Sequence, residues 1–235
     1  MDAVLLQRLA QITEEERELL QGRGVDRALY ASGRAFEVDA AKMLEKGKLM
    51  SIRPHTRFAP FPRHSHNYVE IMYMCRGKTV HRIDGDALVT LEAGELLFLN
   101  RHASHAIQRA DAGDIAVNFI VLPQFFDEAF NMAGMDNVLS RFLLGELYTG
   151  GAAVSYLHFR VREVLPVQNL VENMVWTLVN RQPGARRINQ VTMGLLLLQL
   201  MHYTECIDMS RNGSVRSPMV EAALREIEEN YRAAS

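Results

Sequence analysis

The sequence predicts a mainly β core, a sandwich or barrel of short antiparallel strands, followed by a helical region that makes the whole chain α+β. Three observations predict it. Short runs of aromatic and β-preferring residues follow one another from Lys48 to about Val164, and Gly77, Gly85, Gly94 and Gly113 separate several of them at hairpin-like spacing. No long helices alternate with these runs, which argues against a doubly wound parallel sheet. From Pro166 onward the apolar spacing becomes helical.

In chain order, residues 1–47 read as a helical arm that turns irregular. Asp2 is placed to cap a first short helix and Thr13 a second, with Glu16 completing a capping box. Residues 22–47 carry no period and are expected to lie over another part of the molecule. Strands are expected at 68–75, 79–83, 87–91, 96–99, 106–109, 115–122 and 154–160, with the turn Asp84-Gly85-Asp86 joining the second to the third. Helical segments near 124–132 and 137–147 interrupt the series before its last strand.

The residues from Pro166 to Val179 place Val167, Leu170, Val171, Met174, Val175 and Leu178 on one helical face. Asn189 reads as the N-cap of the next helix, over roughly 190–205, with Ile188 stapled against Met193. That helix is apolar nearly all round. Val191, Leu195, Leu198 and Met201 are expected to face the β core, while Leu196, Leu197 and Leu200 need further cover. Leu195, Leu196, Leu197 and Leu200 are the candidate dimerisation residues. A polar linker, Arg211 to Val215, precedes a last amphipathic helix with Ser217 as N-cap and Pro218 at its first position. The expected division is an arm at 1–47, a β domain at 48–164, a helical region at 165–210 and a terminal helix at 217–235.

Composition excludes several functions. Hydrophobic residues at 48% and charged ones at 23% describe an ordinary globular chain, neither disordered nor fibrous. The 26 basic and 28 acidic residues leave a net charge of −2, which argues against strong phosphate-backbone binding by this chain alone. Cys75 and Cys206 are the two cysteines and form no CxxC, which excludes a disulfide scaffold and a cysteine-rich zinc knuckle. The N-terminus is acidic where a signal peptide needs a basic end, and no run approaches the roughly 18 apolar residues of a membrane span. A soluble, cytoplasmic chain with no membrane partner is expected. There is no Gly-rich phosphate loop and no nucleophile elbow.

Six of the eight histidines lie between His55 and His105. His64, His66 and Glu70 share parity, so a strand running through all three would point them to one face. His105 follows two hairpin-like units later and is placed to meet them. Three imidazoles and a carboxylate can hold Zn, Ni, Fe or Mn, because the nitrogens suit borderline divalent ions and the carboxylate offsets their charge. The same residues can instead line a pocket for an organic ligand, or satisfy one another as donors and acceptors with no ligand at all.

The spacing H-x-H, three residues, Glu, six residues, Gly, realised by His64, His66, Glu70 and Gly77, resembles the second half of the first cupin motif. Gly94 and His105 resemble the ends of a looser second motif. The usual Pro near Asn100 and the Gly at His102 are missing, Arg109 stands where that motif ends in Asn, and Phe58 replaces the leading Gly of the first motif. A good first half with a degenerate second motif resembles the sensor domains of AraC-type transcription regulators. So do the phrases F-P-R-H-S-H-N-Y-V-E-I-M-Y, L-E-A-G-E-L-L-F-L-N and I-A-V-N-F-I-V-L-P-Q-F-F, while V-E-A-A-L-R-E-I-E-E-N-Y resembles the first helix of their DNA-binding half.

The resemblance implies a cupin-like double-stranded jelly roll that binds a small-molecule effector, a helical dimerisation element forming a homodimer, and DNA contact only through a helix-turn-helix domain after residue 235. By parity with the cluster, Tyr68 and Met72 join His64, His66, Glu70 and His105 as effector-lining candidates, with His81 and Asn118 from neighbouring strands. No catalytic residue and no required cofactor are expected. The competing expectation is a metal-dependent cupin isomerase or dioxygenase that uses His64, His66, Glu70 and His105 as ion ligands.

Overall fold

The computed structural model describes residues 1–149, 151–203 and 207–209. The expected terminal helix at 217–235, the linker before it and Glu205 lie outside the described residues. Two sheets face one another as a jelly roll. The smaller has the order β1 (Glu37–Val38), β3 (Phe61–His66), β8 (Ser104–Ile107), β5 (Lys78–Ile83) and β6 (Ala87–Glu92). The larger has the order β13 (Ile207–Met209), β12 (Tyr156–Phe159), β7 (Leu96–Leu99), β4 (Val69–Arg76), β9 (Ile115–Val121) and β2 (Met50–Pro54). A small hairpin pairs β10 (Tyr148–Thr149) with β11 (Ala152–Ala153). Among the described residues every pairing is antiparallel except that of β1 with β3.

Side-chain alternation explains how the sheets stack. In β5 and β6, Thr79, His81, Ile83, Val89 and Leu91 are buried while their neighbours are not. In β4 the first six residues are all buried, because the larger sheet is covered on both faces. Its inner face supplies Met72, Met74, Leu97, Leu99 and Ala116 to an apolar cluster with Ile83, Val89 and Leu91 of the smaller sheet. Its outer face supplies Ile71, Tyr73, Phe98, Phe119 and Phe159 to a larger core with the helices. Burying each such side chain is worth roughly 1.5–3 kcal/mol over leaving it in water.

The helical layer consists of α4 (Asp127–Ala133), α5 (Val138–Leu144), α6 (Leu165–Val179) and α7 (Ala185–Met201). α6 starts where Pro166 predicts and buries Val167, Val171, Met174 and Val175. α7 departs from expectation in two ways. It begins at Ala185 after Gly184, which adopts φ 75, so Asn189 is a buried residue of its second turn and not its N-cap. The Arg-Arg-Ile stretch is a fair helix former, and Gly184 takes the left-handed turn that lets the helix start earlier. The facing is also reversed. Leu196, Leu197 and Leu200 are fully buried against the chain's own core, whereas Leu195 is 43% and Val191 38% exposed. The near-uniform apolarity of this helix hid which stripe met α4 and α6.

The strands correct the expected register near the histidines. His64 and His66 lie on β3 and Glu70 on β4, in opposite sheets, so the chain turns a corner at Asn67 and Tyr68 instead of running straight through. Pro60 and Pro62 masked β3, and the register of β3 against β8 shifts between Phe61 and His64 to accommodate that run. β8 begins at Ser104, two residues before the expected strand, which brings His105 into the ladder directly opposite His64. The two glycines of the motif fragments are structural: Gly77 has φ 80 with a Cβ position 2.2 Å from Asp114 Oδ1, and Gly94 has φ 84 with a Cβ position 2.9 Å from the Arg162 backbone. Phe58, at the place of the missing leading glycine, takes a left-handed conformation at φ 71, one that glycine adopts readily.

The N-terminal arm folds back over the jelly roll. α1 (Ala3–Leu9) buries Leu5 and Leu9 in the outer core, α2 (Glu14–Leu20) carries the Thr13–Glu16 capping box that the sequence predicts, and the short α3 (Ala40–Met43) follows β1. Glu16 also accepts from Arg57 Nε at 2.6 Å and Arg57 Nη2 at 2.8 Å, with both residues almost fully buried. Arg57 Nη2 donates further to the carbonyls of Ala10 and Gln11, at 3.2 Å each, and so ties the arm to the strand domain. Burial opposes ionisation of Glu16, but the Arg57 hydrogen bonds and charge hold its carboxyl below the usual range. Glu16→Ala leaves a buried guanidinium without its anion, and is expected to cost about 3–5 kcal/mol. Urea denaturation checks this; a loss under 1 kcal/mol would contradict the buried clamp. No helix among the described residues is long and apolar enough to cross a membrane.

Candidate functional site

One end of the space between the sheets is filled by histidine. From the smaller sheet come His64 and His66 of β3, His105 of β8 and His81 of β5, with Ile83 of β5 across from His105 in the ladder. From the larger sheet come Glu70 of β4 and Asn118 of β9, and His55 follows β2. His105 is the centre of the group. Its ring lies 4.2 Å from His64, 5.9 Å from His81 and 6.0 Å from His66, between ring centroids, and His81 lies 5.7 Å from His55. All five imidazoles and Glu70 are buried.

Hydrogen bonds fix several rings. A backbone carbonyl only accepts, so His64 Nδ1 donates to Pro62 O at 2.9 Å and His66 Nδ1 donates to Tyr68 O at 2.7 Å. Each ring then turns a lone-pair Nε2 away from its backbone partner, the arrangement that orients an imidazole for a ligand. On the opposite side a relay runs from His55 Nδ1 to Asn118 Oδ1 at 3.1 Å, and from Asn118 Nδ2 to Glu70 Oε1 at 2.9 Å. His81 Nε2 meets Thr79 Oγ1 at 2.8 Å. Left without hydrogen-bond partners in the interior are His55 Nε2, His66 Nε2, Glu70 Oε2, His81 Nδ1 and both nitrogens of His105. Glu70 Oε2 stands 3.4 Å from His105 Nε2 without hydrogen-bond alignment.

The charge state follows from burial. Desolvation pushes the His55, His66 and His81 imidazoles below their ordinary range, and with the nearby His105 it pushes His64 down to about 3. Burial alone would raise the Glu70 carboxyl, but His105, His66 and His64 around it hold it below the usual carboxylate range. Four of the imidazoles, those of His55, His64, His66 and His81, are thus held neutral around one carboxylate.

A divalent ion fits these donors. Ligand atoms of His64, Glu70 and His105 all lie within 4.8 Å of one another, and the orphaned atoms of Glu70 and His105 supply lone pairs with no competing partner. Zn, Ni, Fe or Mn would be held by those three residues, while His66, the fourth expected ligand, is outside the group. A metal there would supply Lewis acidity to a bound ligand. The residues themselves position and accept hydrogen bonds.

An adjoining cavity separates the expected effector residues. Its volume is only about 40 Å³, room for a few waters, and His64, Tyr68, Glu70 and Asn118 line it. His66, His81 and His105 sit behind that wall, and Met72 belongs to the apolar cluster instead. Sequence reasoning missed His55, Arg53 and Tyr30, which also line the cavity. His55 was within reach, as a histidine two residues from Arg53 near a strand end; Tyr30 was not, because nothing local places a loop tyrosine over a distant strand. Tyr30 packs edge-on to Phe61 at 5.0 Å, lies under the Arg53 guanidinium at 4.9 Å, and donates its hydroxyl to Glu15, which also accepts from Arg53 at 3.1 Å. Val38 and Phe36 of the arm complete this lid, with Ser65 N donating to Phe36 O at 3.1 Å.

The eroded motif positions serve structure. Asn100, where a proline would stand, is fully buried and donates to Phe142 O at 3.1 Å and Val154 O at 2.7 Å. His102, in place of a glycine, meets Gly145 O at 3.1 Å. His158, outside the cluster, is satisfied by Glu95 at 2.9 Å.

Four neutral buried imidazoles make stability depend on pH. Their folded values lie below the unfolded value of about 6.5, so below that pH the unfolded chain takes up protons that the folded state refuses. Stability is thus complete above about pH 6.5 and is lost as pH falls, by up to about 1.4 kcal/mol per histidine per pH unit. In metal-free protein the urea midpoint is expected to drop clearly between pH 7.5 and pH 5. An unchanged midpoint would mean that the rings are not held neutral.

Comparison with known proteins agrees with this architecture. Residues 51–130 match the family described as AraC-like ligand binding domain. No curated protein matches the chain. Among solved structures, an apo variant of ToxT from Vibrio cholerae is similar over 72% of this chain and 62% of its own, at 11% identity and a TM-score of 0.51, so the chain spans less than two thirds of that structure. ToxT with a bound unsaturated fatty acid matches at 10% identity over 66% and 53% of the two chains, with a TM-score of 0.43. A cupin protein from Bacteroides fragilis matches at 28% identity over 31% and 64%, with a TM-score of 0.26. The likeness to the apo variant shows a shared fold, and the match to the AraC-like ligand binding domain covers residues 51–130, which run from β2 to α4.

Proposed function

We propose that this chain is the effector-sensing and dimerisation part of an AraC-type transcription regulator acting in the cytoplasm. The observation that carries the reading is that the AraC-like match falls on the strands enclosing the histidine interior, while the preceding arm closes the cavity beside it. A cavity of about 40 Å³ admits no metabolite as it stands. An effector would therefore enter by displacing Tyr30 and its neighbours, and binding energy from His64, Tyr68, Glu70 and Asn118 would shift the arm between two placements. The effector is a small molecule, the chain is a homodimer, and DNA is read by a separate helix-turn-helix half that 217–235 would open. Residues 1–47, 48–164 and 165–210 act as arm, effector domain and dimerisation region.

The dimer reading now rests on a different stripe from the one the leucine run suggested. Ile188, Val191 and Leu195 are the exposed apolar residues of α7, and Met132 and Met135 are exposed in and after α4, which packs on α7. Of the four leucines, Leu195 is the one available for a partner.

A metal-dependent cupin enzyme is the second reading, favoured by the three-donor group of His64, Glu70 and His105. Two assays on wild type, His64→Ala and His105→Ala separate the readings. Metal content by elemental analysis, on protein purified without a tag, is expected to be substoichiometric throughout. A metabolite screen by thermal shift is expected to find a stabilising compound whose effect both substitutions abolish. Stoichiometric metal with a metal-dependent turnover, both lost in the two variants, would overturn the sensor reading.

A further inference from the structure

Away from the histidine interior, a second cavity of about 360 Å³ lies between β2 and the helical layer, and it shares no lining residue with the first. β2 is the last strand of its sheet, and the cavity opens along that edge, against the end of α6 and the first turns of α7. Its size is in the range that encloses a small organic molecule.

The walls differ in character. Leu49, Ile52, Phe125 and Leu178 give an apolar side. Lys48, Arg181 and Arg186 bring three cations against the single carboxylate of Glu45. Glu45 is already engaged, 2.6 Å from Lys48 and 3.8 Å from Arg181, and Arg186 has no ion-pair partner among the described residues. The cavity is thus electropositive, with one uncommitted guanidinium.

Deeper in, Asn189 lines the same cavity at 1% exposure, and its Oδ1 has no hydrogen-bond partner. Nearby Thr177 cannot serve it, because its hydroxyl donates to Asn173 O at 2.6 Å. Buried acceptors are nearly always paired, so an orphan on a residue that lines a cavity of this size lacks a donor. The helical start at Ala185 is what carries Asn189 inward; as the N-cap expected from sequence it would have capped its own helix and pointed nowhere useful.

We propose that this cavity is a second small-molecule site, one that takes a hydroxylated organic acid. The carboxylate meets Arg186, the apolar body lies against Phe125 and Leu178, and a hydroxyl donates to Asn189 Oδ1. Such a ligand bridges the edge of the effector domain and the helix that carries Ile188, Val191 and Leu195.

Titration calorimetry on the whole chain tests this with three probes: 3-(4-hydroxyphenyl)propanoate, 3-phenylpropanoate, which lacks the hydroxyl, and 3-(4-hydroxyphenyl)propanamide, which lacks the charge. The hydroxy acid is expected to bind saturably at one site, at least tenfold more tightly than either analogue. Arg186→Glu, at an exposed position that folding does not depend on, is expected to weaken it at least tenfold. Asn189→Leu is expected to erase the preference for the hydroxyl, and His64→Ala to leave binding unchanged. No saturable binding at millimolar hydroxy acid, binding indifferent to Arg186→Glu, or binding lost in His64→Ala would overturn the proposal. The first two results would leave the reading of the jelly-roll interior untouched.

Discussion

The burial of five imidazoles around a single carboxylate is the constraint on which the rest of this structure depends. Polar groups without partners are costly inside a protein, at about 1–3 kcal/mol each, and this interior holds several. It persists because it is enclosed. On one side the Met72, Met74, Leu97 and Leu99 cluster joins the sheets, and on the other an aromatic cluster of Tyr30, Phe36, Phe61 and Tyr68 packs over it. The two backbone bonds to Pro62 and Tyr68 then hold His64 and His66 in one tautomer, so the orphaned nitrogens have fixed places.

Enclosure explains the arm. Residues that show no period in the sequence are held by β1 pairing with β3, by Asp39 N donating to Tyr30 O at 2.9 Å, and by Ala40 N donating to Asn67 Oδ1 at 2.9 Å. The arm's strongest anchor, Arg57 to Glu16, lies beyond the lid, so the lid can shift while α2 stays clamped. On the sensor reading, sensing and stability would fall to different contacts: those around Tyr30 face the cavity, and the buried ion pair does not.

Much of this was legible in the sequence, and the failures have physical causes. The strands β4, β5, β6, β7 and β9 were readable because period-2 burial and glycine turns are local signals, and the capping box at Thr13 is local too. β3 was not, since Pro60 and Pro62 speak against a strand and only pairing with β8 overrides them. The convergence of His64, His66 and Glu70 was anticipated for the wrong reason: shared parity on one strand, where the structure uses two strands facing across the sandwich. Asn189 and the leucines of α7 were misplaced because an apolar helix does not declare which stripe meets its neighbours. The lid, the His55–Asn118–Glu70 relay and the cavity beside β2 are long-range arrangements with no sequence period to reveal them.

Hydrogen–deuterium exchange across residues 25–44 tests the central claim, that the histidine interior is an effector site closed by the arm. The comparison is between ligand-free protein and protein saturated with a metabolite that raises its melting temperature. The account predicts that exchange changes in this segment and in β3 and β8 together, and that the change disappears in Tyr30→Ala. Exchange in 25–44 that stays constant while the ligand is bound in the jelly roll would contradict it.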